Sequence, residues 1–183
     1  MGKPLDDLSR SLQQGNIAVF KQTLAAVSNV NDKNRMGGTI LHQYVSSAHY
    51  TSIDAQSVIG ALVEAGIDIN ARENKIAEQR TALHLAALKG EFVICKLLID
   101  NGATVDAQDK YGNTPLWRAT MNYSGMREGE RGAMGKVIQL LLDKGADPNV
   151  KNYHGFSPLD LALTLGGTDV VKYFQNKLEG GTQ

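Results

Sequence analysis

Apolar residues return along this chain in short helical stripes. Val58, Ile59, Leu62 and Val63 make one, Val93, Ile94, Leu97 and Leu98 a second, and Val137, Ile138, Leu140 and Leu141 a third. Neighbours one, three and four residues apart lie on one face of an α-helix. Gly66, Gly102 and Gly145 follow the stripes, where a helix can end in a left-handed residue. A second pattern precedes each stripe and opens on a hydroxyl residue: Thr39-Ile40-Leu41-His42, Thr81-Ala82-Leu83-His84 and Thr114-Pro115-Leu116-Trp117. Ser157-Pro158-Leu159-Asp160 repeats it near the C-terminus. A hydroxyl there can cap free backbone N–H groups, and proline costs nothing in the first turn. Small residues such as Ala86, Ala119 and Ala162 let helices approach closely. The pattern predicts helix, turn, helix, then an extended excursion that turns at Gly37-Gly38, Gly112 or Gly155.

The units recur. Thr114 follows Thr81 by 33 residues, and the closing segments Asn101-Gly102-Ala103-Thr104-Val105-Asp106-Ala107 and Lys144-Gly145-Ala146-Asp147-Pro148-Asn149-Val150 echo Ala65-Gly66-Ile67-Asp68-Ile69-Asn70-Ala71. A period near 33 with a T-P-L-H-x-A opening resembles the ankyrin-repeat family over nearly the whole chain. The resemblance implies an all-α repeat fold, an ankyrin solenoid of about five helix-turn-helix pairs with β-hairpin-like loops. One domain over 1–183 divides into an N-terminal cap pair at 5–30 and repeats at 31–70, 71–106 and 107–149. A C-terminal cap repeat at 150–178 and a tail at 179–183 follow. The caps are atypical, as solenoid ends must be. Leu8, Leu12, Phe20, Leu24 and Val27 line the first without the motif, and Val170, Val171, Phe174 and Leu178 face inward in the last.

The resemblance also assigns roles. His42 and His84 hold the motif position that hydrogen-bonds within and between repeats, and Asn70 and Asn149 read as structural. Residues flanking the turn glycine face a concave groove in this family. Here they are Arg35, Met36, Gln79, Arg80, Lys110, Tyr111, Asn113, Tyr153, His154 and Phe156. Tyr and Arg dominate interface hot spots, so these are candidate partner contacts, although the aromatics could also pack along adjacent tips.

Departures from the period add candidates. Thr39 to Thr81 spans 42 residues and Thr114 to Ser157 spans 43. Six extra residues fall around Ala48-His49-Tyr50-Thr51-Ser52 and ten around 123–132, while three lengthen the excursion over 73–80. The segment 122–135 reads as a mobile loop that orders on a partner, offering Tyr123, Arg127 and Arg131; drift in loop length is the alternative. Gln43 and Arg118 replace the leucine seen at Leu85 and Leu161. Either they anchor the neighbouring interhelix loop, or Arg118, beside Trp117, faces a ligand.

Composition narrows the function. Lys plus Arg number 19 and Asp plus Glu 19, which argues against a nucleic-acid partner and a polybasic membrane anchor. No stretch spans a bilayer, and the start, Met1-Gly2-Lys3-Pro4-Leu5-Asp6-Asp7, lacks a signal-peptide core, so a cytoplasmic monomer is expected. Cys95, the single cysteine, sits in an apolar helix as a buried thiol. No phosphate loop, nucleophile elbow, metal-ligand cluster or convergent carboxylate pair is present, so no catalytic residue, cofactor or metal is expected. The reading is a non-catalytic protein-binding module. Its narrower form is an inhibitor or immunity protein that neutralises a toxin or effector, in the manner of compact bacterial stand-alone ankyrin proteins. The alternative is a regulatory adaptor or inhibitor of a cellular enzyme or transcription factor. An enzyme with an unrecognised site is the third reading.

Overall fold

A computed structural model of the chain describes residues 4–48, 51–74, 77–126, 131–165 and 168–175. Its helices pair as the apolar stripes predict. Pro4–Gln13 (α1) pairs with Ile17–Ala25 (α2), Ile40–Ser47 (α3) with Ala55–Glu64 (α4), and Ala82–Lys89 (α5) with Phe92–Asp100 (α6). Pro115–Gly125 (α7) then pairs with Arg131–Asp143 (α8), and Pro158–Leu165 (α9) with Thr168–Val171 (α10). First helices stack on first helices, α3 on α5 on α7 on α9, and second helices on second helices, α4 on α6 on α8. No strand occurs among the described residues, yet each excursion folds as a small hairpin. Asp109 N–H donates to the Asn113 carbonyl at 2.9 Å, and Asn152 N–H to that of Phe156 at 3.0 Å.

One contiguous core runs through the stack. Leu8, Phe20, Leu41, Ile59, Leu83, Leu98, Leu116, Ile138, Val170 and Phe174 are all fully buried in it. No helix pair could hide its apolar face alone, so burial between neighbours supplies the stability. Cys95 is buried, and burial pushes its thiol pKa far up, away from reactivity.

A polar device fastens successive repeats at their closing segments. At the closing segments, Asn31 accepts from Asp68 N–H at 2.7 Å and donates to the Gly66 carbonyl at 3.0 Å. Asn70 does the same one repeat on, with Thr104 N–H at 2.8 Å and the Gly102 carbonyl at 3.0 Å. Asp106 holds the third such position. It accepts from Asp147 N–H at 3.1 Å, but a carboxylate has no proton to donate to Gly145. Burial, then the nearby Asp147 charge, raises its pKa.

The insertions are built into the stack. Thr51 donates its hydroxyl to the Leu12 carbonyl at 2.9 Å, and Ile53 is buried, so the segment after α3 ties its pair to the N-terminal cap. At its two described ends the larger insertion is helical, which corrects the expectation of a loop over the whole of 122–135. Residues 122–125 extend α7 and residues 131–135 open α8; Arg127 lies outside the described residues, as do Leu178 and the tail.

Asp106→Asn restores the missing donor and removes a like charge. Stability should rise by about 1 kcal/mol at neutral pH, measured by urea unfolding. A loss of stability would show that the amide pattern of Asn31 and Asn70 does not carry over to this junction.

Candidate interaction surface

The site begins with how the excursion tips are shaped. Five residues before the motif hydroxyls Thr39, Thr114 and Ser157 stand Asn34, Asp109 and Asn152. Each turns a side-chain oxygen back on its own tip. Asn34 accepts from Met36 and Gly38 N–H, Asp109 from Tyr111 and Asn113 N–H, and Asn152 from His154 and Phe156 N–H, at 2.8 to 3.2 Å. These Asx turns lock the tip backbone without outside help. The glycine two residues before the hydroxyl adopts positive φ, +78° at Gly112, and the Tyr153 ring of the next tip rests against it where any side chain would collide. In the lengthened excursion this position is Gln79, the single non-glycine residue with positive φ among the described residues, at +54°. There Glu73 N–H closes on the Arg80 carbonyl at 3.0 Å, spanning the three added residues.

Successive tips are joined backbone to backbone. Asn74 N–H donates to Gly37 at 2.9 Å, Lys110 N–H to Glu78 at 2.9 Å, and Tyr153 N–H to Tyr111 at 3.0 Å. The motif histidines tie α3 and α5 each to the tip beyond it. Thr39 N–H donates to Nδ1 of His42 and Thr81 N–H to Nδ1 of His84, which leaves the proton on Nε2. His42 Nε2–H then reaches the Arg80 carbonyl at 2.9 Å, and His84 Nε2–H that of Asn113 at 3.0 Å. Burial lowers the pKa of both, that of His84 to about 4 although its bond to Asn113 works the other way. Trp117 takes this position in α7 and makes no such bridge; its buried indole N–H has no hydrogen-bond partner among the described residues. Asp160 takes it in α9 and closes a capping box with Ser157, accepting from its N–H at 2.9 Å while Ser157 Oγ accepts from Asp160 N–H at 3.1 Å.

A charge network occupies the middle of the tips. Arg118 gives Nε to Asp109 Oδ2 at 2.8 Å and Nη2 to Glu78 Oε2 at 2.6 Å, bridging two excursions. Arg80 holds Glu73 in two bonds, Nε at 2.9 Å and Nη2 at 3.2 Å. Burial works against the Glu73 carboxylate, but Arg80 outweighs it and keeps the pKa below the ordinary value. Gln43 accepts from Asn34 Nδ2 at 3.4 Å. Gln43 and Arg118 therefore anchor excursion tips, not interhelix loops. The helix starts directly after its tip, so its fourth residue lies beneath that tip.

The remaining candidates divide. Met36 is 82% exposed, Tyr153 72%, Phe156 49% and Tyr111 40%. Arg35, Lys110 and His154 are exposed beside them. Tyr153 packs on Gly112 of the preceding tip and still presents most of its ring. Asn113 and Tyr123 are corrections, because both are buried. Asn113 receives Asn152 Nδ2 on its side-chain oxygen at 2.8 Å. Tyr123 is carried inward by the longer α7, donates to Asp169 at 2.7 Å and meets the Tyr173 ring edge-on at 5.9 Å. Arg131 is spent in the same cluster, 3.7 Å from Asp169 and over the Tyr123 ring at 5.4 Å. The hollow beside Trp117 was not foreseen as a unit. Asn152, His154, Phe156, Leu161 and Thr164 complete it, and it holds about 430 Å³ between almost wholly apolar walls. A second hollow of about 410 Å³ lies by Met36, His42, Gln43 and the Glu73–Arg80 pair. Among the described residues no His, Cys, Asp or Glu cluster could hold a metal ion, and no helix is long and apolar enough to cross a membrane.

Comparison with known proteins agrees with this geometry. A family model for ankyrin repeats, in three copies, matches residues 54–152. The ankyrin repeat and KH domain-containing protein mask-1 of Caenorhabditis elegans is 32% identical over 89% of this chain, which covers 6% of that protein. The B-cell lymphoma 3 protein homolog of Mus musculus is 31% identical over 76% of the chain and 28% of its own length. A putative ankyrin repeat protein of fowlpox virus is 31% identical over 63% of the chain and 31% of its own length. The chain thus spans less than a third of each of these relatives.

His84 should make stability depend on pH. The unfolded imidazole takes a proton near its ordinary 6.5, while the folded one resists it until about 4. Between those values the unfolded chain binds more protons, so stability is full above pH 6.5 and falls toward pH 4. His42 acts with the same sign. Urea unfolding across pH 4 to 7 tests this, with His84→Gln expected to flatten the slope.

Arg118→Leu should cost about 3 kcal/mol, because the fully buried Asp109 side chain loses its cation. Adding Asp109→Asn recreates the Asn152 and Leu161 pairing of the final repeat and should recover most of the loss. A double variant no more stable than the single one would show that the charge is not the cause.

Proposed function

This chain belongs to the ankyrin-repeat family, and on that footing we propose that it is a rigid, non-catalytic module whose tips and concave groove bind another protein. The observation that carries this reading is the row of exposed apolar side chains, Met36, Tyr111, Tyr153 and Phe156, on tips already locked by Asx turns. Aromatic groups in a fixed frame lose little freedom on contact and supply much of an interface's energy. The carboxylates Glu73, Glu78 and Asp109 between them are paired with Arg80 and Arg118 for structure, and among the described residues no nucleophile, base and oxyanion donor converge on one point.

Such a surface can occlude or tether. Occlusion is the role of an inhibitor or immunity protein for a toxin or effector, and tethering that of a regulatory adaptor for an enzyme or transcription factor. The relatives reported above are eukaryotic and viral, and none carries a toxin-related name. Adaptor work is therefore the better supported use, and a bacterial toxin antagonist rests on sequence style alone.

Affinity capture with wild type and with tip variants tests the module reading. Tyr111→Ala and Tyr153→Ala should each weaken binding of the captured protein by about 2 kcal/mol, read by calorimetry. Melting should hardly move, because both rings are exposed. Unchanged affinity in both variants would falsify the assignment of the tips. A captured enzyme silenced by the chain marks an inhibitor; one still active in the complex marks an adaptor.

A further inference from the structure

The groove is not uniform in chemistry, and three observations point to one kind of occupant. The first is charge. The tip carboxylates Glu73, Glu78 and Asp109 are all spent on Arg80 and Arg118. Lys33, Arg35, Lys110 and Lys151 are exposed along the row of excursions and make no ion pair among the described residues, and they outnumber Asp32, the exposed carboxylate beside Lys33 that is likewise in no ion pair. The whole chain is neutral, so this positive edge is a local feature. The second is shape. The hollow bounded by Trp117, Phe156 and Leu161 is apolar and has room for a large side chain. The third is a broken local rule. Where His42 and His84 stitch repeats together, Trp117 leaves a buried N–H unpaired and the stitch unmade. Arg118 lies over the Trp117 ring at 6.0 Å, but that contact replaces neither the bridge nor the partner of the indole N–H, and a local rule broken in this way marks a candidate functional position.

We infer that the groove takes an acidic polypeptide segment that seats an apolar side chain in the hollow beside Trp117. This rests on the recognition role proposed above and specifies the partner's chemistry. The exposed lysines steer the acidic segment toward the tips. Tyr153, Phe156 and Trp117 then exclude water around the anchoring side chain. A nucleic acid fits less well, because the hollow offers almost no polar edge to read a base.

The test is selection of random dodecamer peptides on the full chain, with an oligonucleotide of random sequence as a competitor class. The enriched peptides should carry Asp and Glu around a single Phe, Leu, Ile or Met. They should bind about tenfold more weakly to the Lys110→Glu/Lys151→Glu variant at low salt, with the difference shrinking as salt is raised. They should weaken similarly on Trp117→His. That variant can form the missing bridge to the Phe156 carbonyl and should melt no lower than wild type, which separates lost binding from lost folding. Enriched peptides that are neutral or basic overturn the inference and leave the recognition role standing. So do acidic peptides that bind both variants as well as wild type. No enrichment of any peptide, with tight binding of the oligonucleotide, overturns both readings.

Discussion

Register between the central repeats hangs on one requirement: a histidine of one repeat must reach a backbone carbonyl at the tip of the next. His84 meets it most completely. One ring nitrogen is held by Thr81 at the start of its own helix, and the other reaches across to Asn113. The imidazole is neutral, fully buried and bonded at both ends, so it fixes a distance and an angle between repeats. Apolar burial drives stacking but does not specify register closely. The polar stitches, imidazoles at the tips and amides at the closing segments, select one register from those that burial alone would allow.

The repeat pattern was legible because each part answers a local demand. A hydroxyl caps, a glycine supplies a left-handed end, and apolar residues at three and four spacing make a face. The helix pairs follow from these without long-range information. Arg118 was harder to place, because its partners Asp109 and Glu78 lie on two different excursions. A signal did exist. Asn34 precedes Gln43 by nine residues and Asp109 precedes Arg118 by nine, so a polar fourth helical residue goes with the Asx position of its own tip. The fate of Tyr123 carried no such signal. Its burial depends on α7 running to Gly125 and on Asp169 arriving from the last pair, a meeting that no local pattern announces.

The positions that break the internal pattern are not equivalent. Arg118 departs from leucine but brings its own compensation in two carboxylates. Asp160 departs from histidine and satisfies its own helix start. Asp106 departs from asparagine and gives up one bond. Trp117 departs from histidine and leaves both a missing bridge and an unpaired donor, and it alone lines an apolar hollow. Compensated departures belong to the scaffold. The uncompensated one beside the hollow is where a consequence outside the scaffold has to be sought.

The Asx turns have a kinetic consequence. Asn34, Asp109 and Asn152 set the tip backbone while the chain folds, so an arriving molecule meets an edge already in its final shape. Association with such an edge is governed by encounter and orientation, with no slow rearrangement of the tips in between. If the tips are the binding surface proposed above, partners that differ in fit differ chiefly in how long they stay, and lifetime becomes the variable through which the surface discriminates.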